Sequence, residues 1–515
     1  MAFQINTTEV ISDSIGLNNI ASVDATTAAS ISAAGVGGGG TYDFVASGAI
    51  ASGDVVILNS DGTVSVVGST SQTESLGTQT TYNSSASTNA AVVYDSANEK
   101  VVIFFTDQGD SYKGKAVVGT VSGTSISFGT PVQFSTGVYY SIGAAYDENS
   151  GKIVVGYTYY DGTDHEARAI VGTVSGTSIS FGTHTVVYNA TNVYNWVDVV
   201  YDASSTKVVV ALAAGTPKTV AYVGTVSGTS ISFGSQTQIT TGRVNYYINS
   251  VYDTANSKIV YAYADIDDSN KGKAIVGTVS GSSISFGSIT TFETGGARFI
   301  TADYDTQNSK VIIAYADLSN SYTGNMIVGT VSGTSISFGS PVTFTSNGLE
   351  YAQSAYDAAV GKFAVFYRGN TFGNATGRYV TATVSGTTPT VSSETVFTTD
   401  TFFGYQNGAT FDSGQNRIVL NSRDIGNSGY GAAFVLRNAG NVSNNSSWIG
   451  ISTEAISDTA TGTVTVFTGV NEQQTGLTTG SKYYVAGDGS LTTSGSIPIG
   501  RALSATKLLI DEGNA

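Results

Sequence analysis

The sequence predicts an all-β protein: a seven-bladed β-propeller over residues 71–445, with four-stranded blades, inserted into a small split β-domain. Three observations predict it. A unit of about fifty residues recurs almost verbatim, an aromatic–Asp pair marks seven such units, and one stray strand precedes the first unit. Composition agrees: 30 Tyr and 22 Phe, with abundant Val, Thr and Ser, favour strands. Charged residues at 12% are too few for a soluble helical bundle.

The repeat is explicit. GTVSGTSISFG recurs nearly unchanged from Gly119, Gly172, Gly224, Gly277 and Gly329, with a weaker copy, TATVSGTTPTVSS, from Thr381. The aromatic–Asp pair ends at Asp95, Asp147, Asp202, Asp253, Asp305, Asp357 and Asp412, which defines units 1 to 7. In unit 1 the expected strands are 90–95, 100–107, 114–123 and 125–134. The second is continuously apolar from Val101 to Phe105, the pattern of a strand covered on both faces, as a blade between two blades requires.

Closure is read from the ends of the repeat. No SISFGTPVQF-like strand follows 429–440 in unit 7, yet a matching segment, SLGTQTT, stands at 75–81. An N-terminal strand that completes the last blade removes an exposed edge. Outside the ring, 41–70 and 446–515 read as two halves of one small split β-domain, a docking module. Residues 1–40 read as an N-terminal attachment segment with a short helix over 21–35, capped by Asp24, and a Gly linker over 35–40.

Propeller geometry places the loops between first and second strands, and between third and fourth, on one face. There the units agree: YDSANEK, YDTANSK and VSGTS. The second–third loops lie on the other face and diverge, at 106–114, 157–168, 264–272 and 368–377. Binding residues sit preferentially on loops carried by a rigid scaffold, so the variable face is the expected contact surface. Aromatics precede each inner strand there, among them Tyr139, Tyr140, Trp196, Tyr247, Phe299 and Tyr351. They line the tunnel as core or offer stacking surfaces for sugar rings. The candidate ligand-binding residues are Trp196, Tyr140, Tyr160, Asp161 and Tyr247, with Arg243, Arg298, Arg368 and Arg423 to hold hydroxyls or acidic groups. Trp196 leads, because the other Trp, Trp448, lies outside the ring.

The aromatic–Asp pair is read as structural, its carboxylate accepting N–H groups of the following turn. The acids Asp265, Asp267, Asp268, Asp161 and Asp164 lack calcium-loop ligand spacing and read as solvated loop residues. No metal or cofactor is expected. With two histidines, His165 and His184, no P-loop and no H-E-x-x-H, the chain is not expected to be an enzyme. A propeller glycosidase is the second alternative, but no sialidase-type S-x-D-x-G-x-T-W box or marked carboxylate pair points to it. A net charge of −16 argues against nucleic acid. No long apolar run implies membrane insertion, and no secretory signal is visible.

Two flanking stretches carry a resemblance. FQINTTEVISDSIGLNNIASVDATTAASISAAG (3–35), and WIGISTEAISDTATGTVTVFTGVNEQQTGLTTGSKYYVAGDGSL (448–491) with PIGRALSATKLLI (498–510), resemble tail-fibre-type virion proteins of marine tailed bacteriophages, cyanophage-like. The resemblance implies a virion structural protein assembled in the host cytoplasm. Its expected role is a tail-fibre or adhesin subunit that contacts a host-surface glycan or protein. Tail or capsid proteins are the expected partners, and a homo-oligomer is left open. The first alternative is a capsid decoration or fibre protein without a receptor. The inserted propeller departs from that family's elongated trimers.

Overall fold

The computed structural model describes residues 3–5, 8–12, 16–17, 40–59, 61–160, 165–189, 196–214, 218–369, 376–398, 401–402, 408–444, 448–467, 469–495 and 497–510. The helix expected over 21–35 and the Gly linker fall outside these, save Gly40. The described regular structure is strand, apart from four three-residue 3-10 turns. The chain divides into two compact units, one of residues 1–72 with 440–515 and one of residues 73–439.

In the central unit, repeats 2 to 6 each form a separate antiparallel sheet. In repeat 2 the order is Ile142–Asp147, Lys152–Tyr160, His165–Ser175, Ser178–Phe181, with Thr185–Asn189 also on the third strand. The expected fourth strand is thus two short ones. In repeat 1 these are Ser125–Phe128 and Val132–Ser135, both paired with Lys113–Ser122. The break follows Gly129, where a Cβ would lie 2.0 Å from the Thr177 carbonyl oxygen in the next repeat's hairpin. Only glycine permits that approach, and Gly182, Gly234, Gly287 and Gly339 meet the next hairpin in the same way. The second strands are core: Val101, Val102, Ile103, Phe104 and Phe105 are fully buried.

The two ends of the repeat meet. The leading strand Thr80–Asp95 pairs through its C-terminal half with Lys100–Asp107 of repeat 1, and through Thr80–Ala86 with Tyr430–Arg437 of repeat 7. Ser75–Leu76 also pairs with Tyr430–Arg437, so repeats 1 and 7 share one ten-stranded sheet. Gly77 N donates to Val435 O at 2.9 Å, as Gly129 N does to Val118 O at 2.9 Å. A Cβ on Gly77 would lie 1.7 Å from Thr124 O, so it stands against repeat 1 as the other glycines stand against their successors. Ser392 fills this position in repeat 6, before repeat 7, which has no VSG hairpin of its own. The first strands lie side by side in repeat order, and that of repeat 7 lies beside that of repeat 1.

Apart from those of repeats 7 and 1, neighbouring first strands belong to different sheets, so their facing backbone N–H groups need other partners. Side chains supply them. Ser141 Oγ accepts from Val197 N at 2.8 Å, Asn249 Oδ1 from Ala302 N at 2.9 Å, and Asp303 Oδ2 from Tyr356 N at 2.7 Å. Ser250 donates to Asp198, and the Thr301 and Ser354 hydroxyls bond at 2.7 Å.

The aromatic–Asp pair laces the opposite ends of these strands. Each of the seven carboxylates is at most 2% exposed and accepts a turn N–H at 3.0–3.1 Å, for example from Asn98, Ser204 and Gln307. The preceding tyrosine reaches the previous repeat's turn: Tyr201 OH accepts from Asn149 N, Tyr252 OH from Ser204 N, and Tyr356 OH donates to Asp305 at 2.6 Å. Tyr94 of repeat 1 accepts from Gly414 N of repeat 7 at 3.0 Å. Repeat 7 has Phe411 instead, which carries no hydroxyl, and Asn438 Nδ2 donates to Asp357 at 2.8 Å in its place.

The other unit builds one sheet from both ends of the chain, in the order Thr41–Val45, Thr461–Thr465, Trp448–Ser452, Val55–Leu58, Val64–Val66. A second sheet runs Val470–Asn471, Leu508–Ile510, Pro498–Ala502, Lys482–Val485, Leu491–Thr492. Val55, Ile451, Tyr483, Ile499 and Leu508 form the apolar cluster that joins them.

Candidate recognition site

The second–third loops are less divergent than their sequences suggest. Repeats 1, 4, 5 and 7 each carry a 3-10 turn capped by Asp107, Asp265, Asp317 or Asp424. Each ends on a serine in the left-handed region, Ser111, Ser269, Ser321 or Ser428, with φ of 52–57°. The Asp-x-x-x-Ser spacing was the available signal for this shared frame. In these four repeats diversity is confined to residues between the caps and just after the serine.

That frame also explains the acids. Asp265 bonds Lys273 at 2.8 Å, Asp268 bonds Lys271 at 2.9 Å and Lys273 at 2.8 Å, and Asp267 takes the Arg243 guanidinium at 2.8 Å. Hydrogen bonding to Arg243 holds the Asp267 carboxyl below the usual carboxylate range. Asp161 and Asp164 lie outside the described residues.

One junction differs from the rest. At the boundary of repeats 1 and 2, Tyr112, Tyr139 and Tyr140 are 41%, 38% and 38% exposed. They are the only strongly exposed aromatic side chains among the described residues. Tyr112, just after the serine cap Ser111, and Tyr139 stack with ring centroids 5.3 Å apart and planes at 13°. Tyr160 stands edge-on to Tyr139 at 5.3 Å and 86°, and Tyr140 is tilted at 52° to Tyr139. His165 stacks on Tyr160 at 4.4 Å, and its Nδ1 is buried without a hydrogen-bond partner among the described residues. The backbone fixes the group: Val138 N bonds Tyr112 O at 2.8 Å, Tyr140 N bonds Thr158 Oγ1 at 3.1 Å, and Asn89 Nδ2 holds Tyr139 O at 3.2 Å.

The structure brings only Tyr140 and Tyr160 of the sequence candidates into this cluster. Trp196 requires a correction. It is 7% exposed, sits opposite Ala213 in the sheet and belongs to the buried apolar cluster that also holds Val244 and Ile248. It lies six residues before its turn aspartate, where Phe299 and Tyr351 lie in repeats 5 and 6, and its ring offers no stacking face. The arginines are likewise engaged by their own loops. Arg243 binds Asp267, Arg368 pairs with Glu350 at 3.6 Å, and the Arg298 guanidinium carbon lies 4.9 Å from the Phe299 ring centre. Arg423 is half-buried, with its guanidinium against Gly429. Asp161 and the Tyr247 side chain fall outside the described residues. Tyr112 and Tyr139 were the missed members. Tyr139 stood among the pre-strand aromatics, but nothing in the sequence separated exposed rings from buried ones.

No protein-family model and no curated protein matches the chain. Among solved structures, a crystal structure of a triple arginine-to-alanine mutant of AofleA from Arthrobotrys oligospora is similar at a TM-score of 0.40 and 10% sequence identity. The match covers 66% of this chain and 92% of that one.

Proposed function

We propose that the seven repeats close into a seven-bladed β-propeller, and that the protein is a non-enzymatic virion surface component. In this reading it is a tail-fibre or adhesin subunit that contacts the host surface through the second–third loop face. Closure is supported by the strand shared between repeats 1 and 7, by Gly77 against Thr124, and by the Tyr94 bond to Gly414. The virion assignment rests on the flanking segments' resemblance. Recognition rests on one observation, the three exposed tyrosines gathered at one junction, where the other described inner-strand aromatics are covered. Exposed aromatic groups rimmed by polar residues mark interaction sites.

Binding of the full-length chain to host cells tests the function. Saturable binding that weakens in a Tyr139→Ala/Tyr140→Ala double variant is expected. Binding absent across candidate hosts would overturn the adhesin role and favour capsid decoration. Closure has its own test. Gly77→Ala is expected to destabilise the central unit as much as Gly129→Ala, because each Cβ meets the equivalent hairpin carbonyl, of Thr124 or Thr177; a neutral Gly77→Ala would argue for an open array.

A further inference from the structure

We infer that the corner formed by Tyr112, Tyr139, Tyr140 and Tyr160 is a subsite for one neutral pyranose ring. The inference rests on the recognition reading above and names its ligand class. Geometry comes first: Tyr139 and Tyr160 meet at 86° with centroids 5.3 Å apart, so two ring systems bound a corner rather than a flat patch. A pyranose presents a C–H face that packs on an aromatic ring and equatorial hydroxyls that bond to phenolic groups at its edge. His165 stacks on Tyr160 at 4.4 Å and backs that wall of the corner.

Size and charge select among occupants. Three tyrosines exposed by 38–41% offer on the order of 250 Å² in total, taking about 200 Å² per side chain. A stable protein partner covers about 800 Å² on each side, so the patch fits a sugar unit better than a folded partner. The cations nearby are neutralised: Lys113 bonds Asp110 at 2.9 Å, and Arg168 bonds Glu166 at 2.6 Å while lying over Tyr159. With a net charge of −16, the site opposes uronates, sialic acids and phosphorylated sugars.

Valence follows from the repeats. At the junction of repeats 5 and 6, Phe299, Tyr322 and Tyr351 also gather, but Phe299 is 3% exposed and the rings cover one another. The chain therefore carries one such subsite among its described junctions.

The test is saturation-transfer NMR on the full-length protein. The probes are the methyl glycosides of glucose, galactose, mannose and N-acetylglucosamine, with the methyl glycoside of galacturonic acid, its carboxylate free, as the anionic comparison. Saturable transfer from at least one neutral glycoside is expected. It should weaken roughly three- to tenfold in Tyr139→Ala and in Tyr140→Ala, and stay unchanged in Val396→Ala, an exposed residue on an outer strand. Thermal midpoints check that the variants are folded. The inference is overturned if no neutral glycoside gives saturable transfer, if the tyrosine variants bind normally, or if galacturonate binds as well. Host-cell binding that survives alongside failure of every pyranoside would leave the recognition reading standing and remove the sugar.

Discussion

Two junctions of the same repeat use aromatic residues in opposite ways. Val138 N bonds Tyr112 O just as Leu349 N bonds Tyr322 O, each at 2.8 Å, so Tyr139 and Glu350 occupy the same place. In repeat 6, Glu350 pairs with Arg368, and the next residue, Tyr351, turns inward at φ 50° against Phe299. Repeat 2 has one more residue between this point and its turn aspartate, and Tyr139 and Tyr140 stay outside. With the same backbone anchor at both junctions, a one-residue change in the approach to the first strand goes with whether a ring is core or surface. Aromatic content alone therefore says little about binding in this architecture.

The largest test of that contrast is Phe299→Ala. Removing a ring that is 3% exposed is expected to cost about 3–5 kcal/mol of stability, read from the denaturant midpoint. A cost below about 1 kcal/mol would mean that this junction is as loosely packed as the other.

Asp303→Asn is expected to abolish a pH dependence of stability centred near pH 6. Full burial raises the Asp303 carboxyl to about 6, while two backbone N–H groups, of Tyr304 and Tyr356, pull the other way. A folded-state value raised above the unfolded 3.8 means that this group's stabilising contribution is complete at low pH. It is lost as pH rises through that window. The loss is on the order of 3 kcal/mol; the asparagine should remove this pH dependence, while its single side-chain oxygen serves only one of the two N–H groups. Thermal midpoints measured across pH, with and without the substitution, check both the sign and the window.

Asn89→Ala addresses the exposed junction from beneath. Asn89 holds φ 49° and donates to Tyr139 O at 3.2 Å. Losing a residue that tolerates the left-handed region, together with that bond, is expected to cost about 1–2 kcal/mol. Ligand binding should weaken in step as Tyr139 loses its support. Tyr139→Ala is the smallest, within about 0.5 kcal/mol on stability, because its ring already faces water. A larger cost would show that the exposed stack contributes to folding.

The repeated strands were legible because their signals are local. A continuous apolar second strand, an Asx-turn aspartate and an SISF segment before a glycine each act within a few residues. The binding candidates were legible only in part. Rarity singled out Trp196, but it stands at an inner-strand position that neighbouring repeats cover. The arginines carried charge on the page, yet Asp267 and Glu350 stand opposite Arg243 and Arg368 across loop and strand. The polar residues that bridge first strands, such as Asn249 and Asp303, gave no signal, because their partners are N–H groups about fifty residues away.

By itself the sequence determined the all-β class, the number of repeats and the turn chemistry, since these depend on side-chain pattern over short spans. The tertiary structure decided which rings face water, which carboxylates meet cations, and that residues 75–86 complete the sheet of repeat 7. Those outcomes depend on which distant segments share a neighbour, and a burial or pairing of that kind is fixed only when both surfaces are in place.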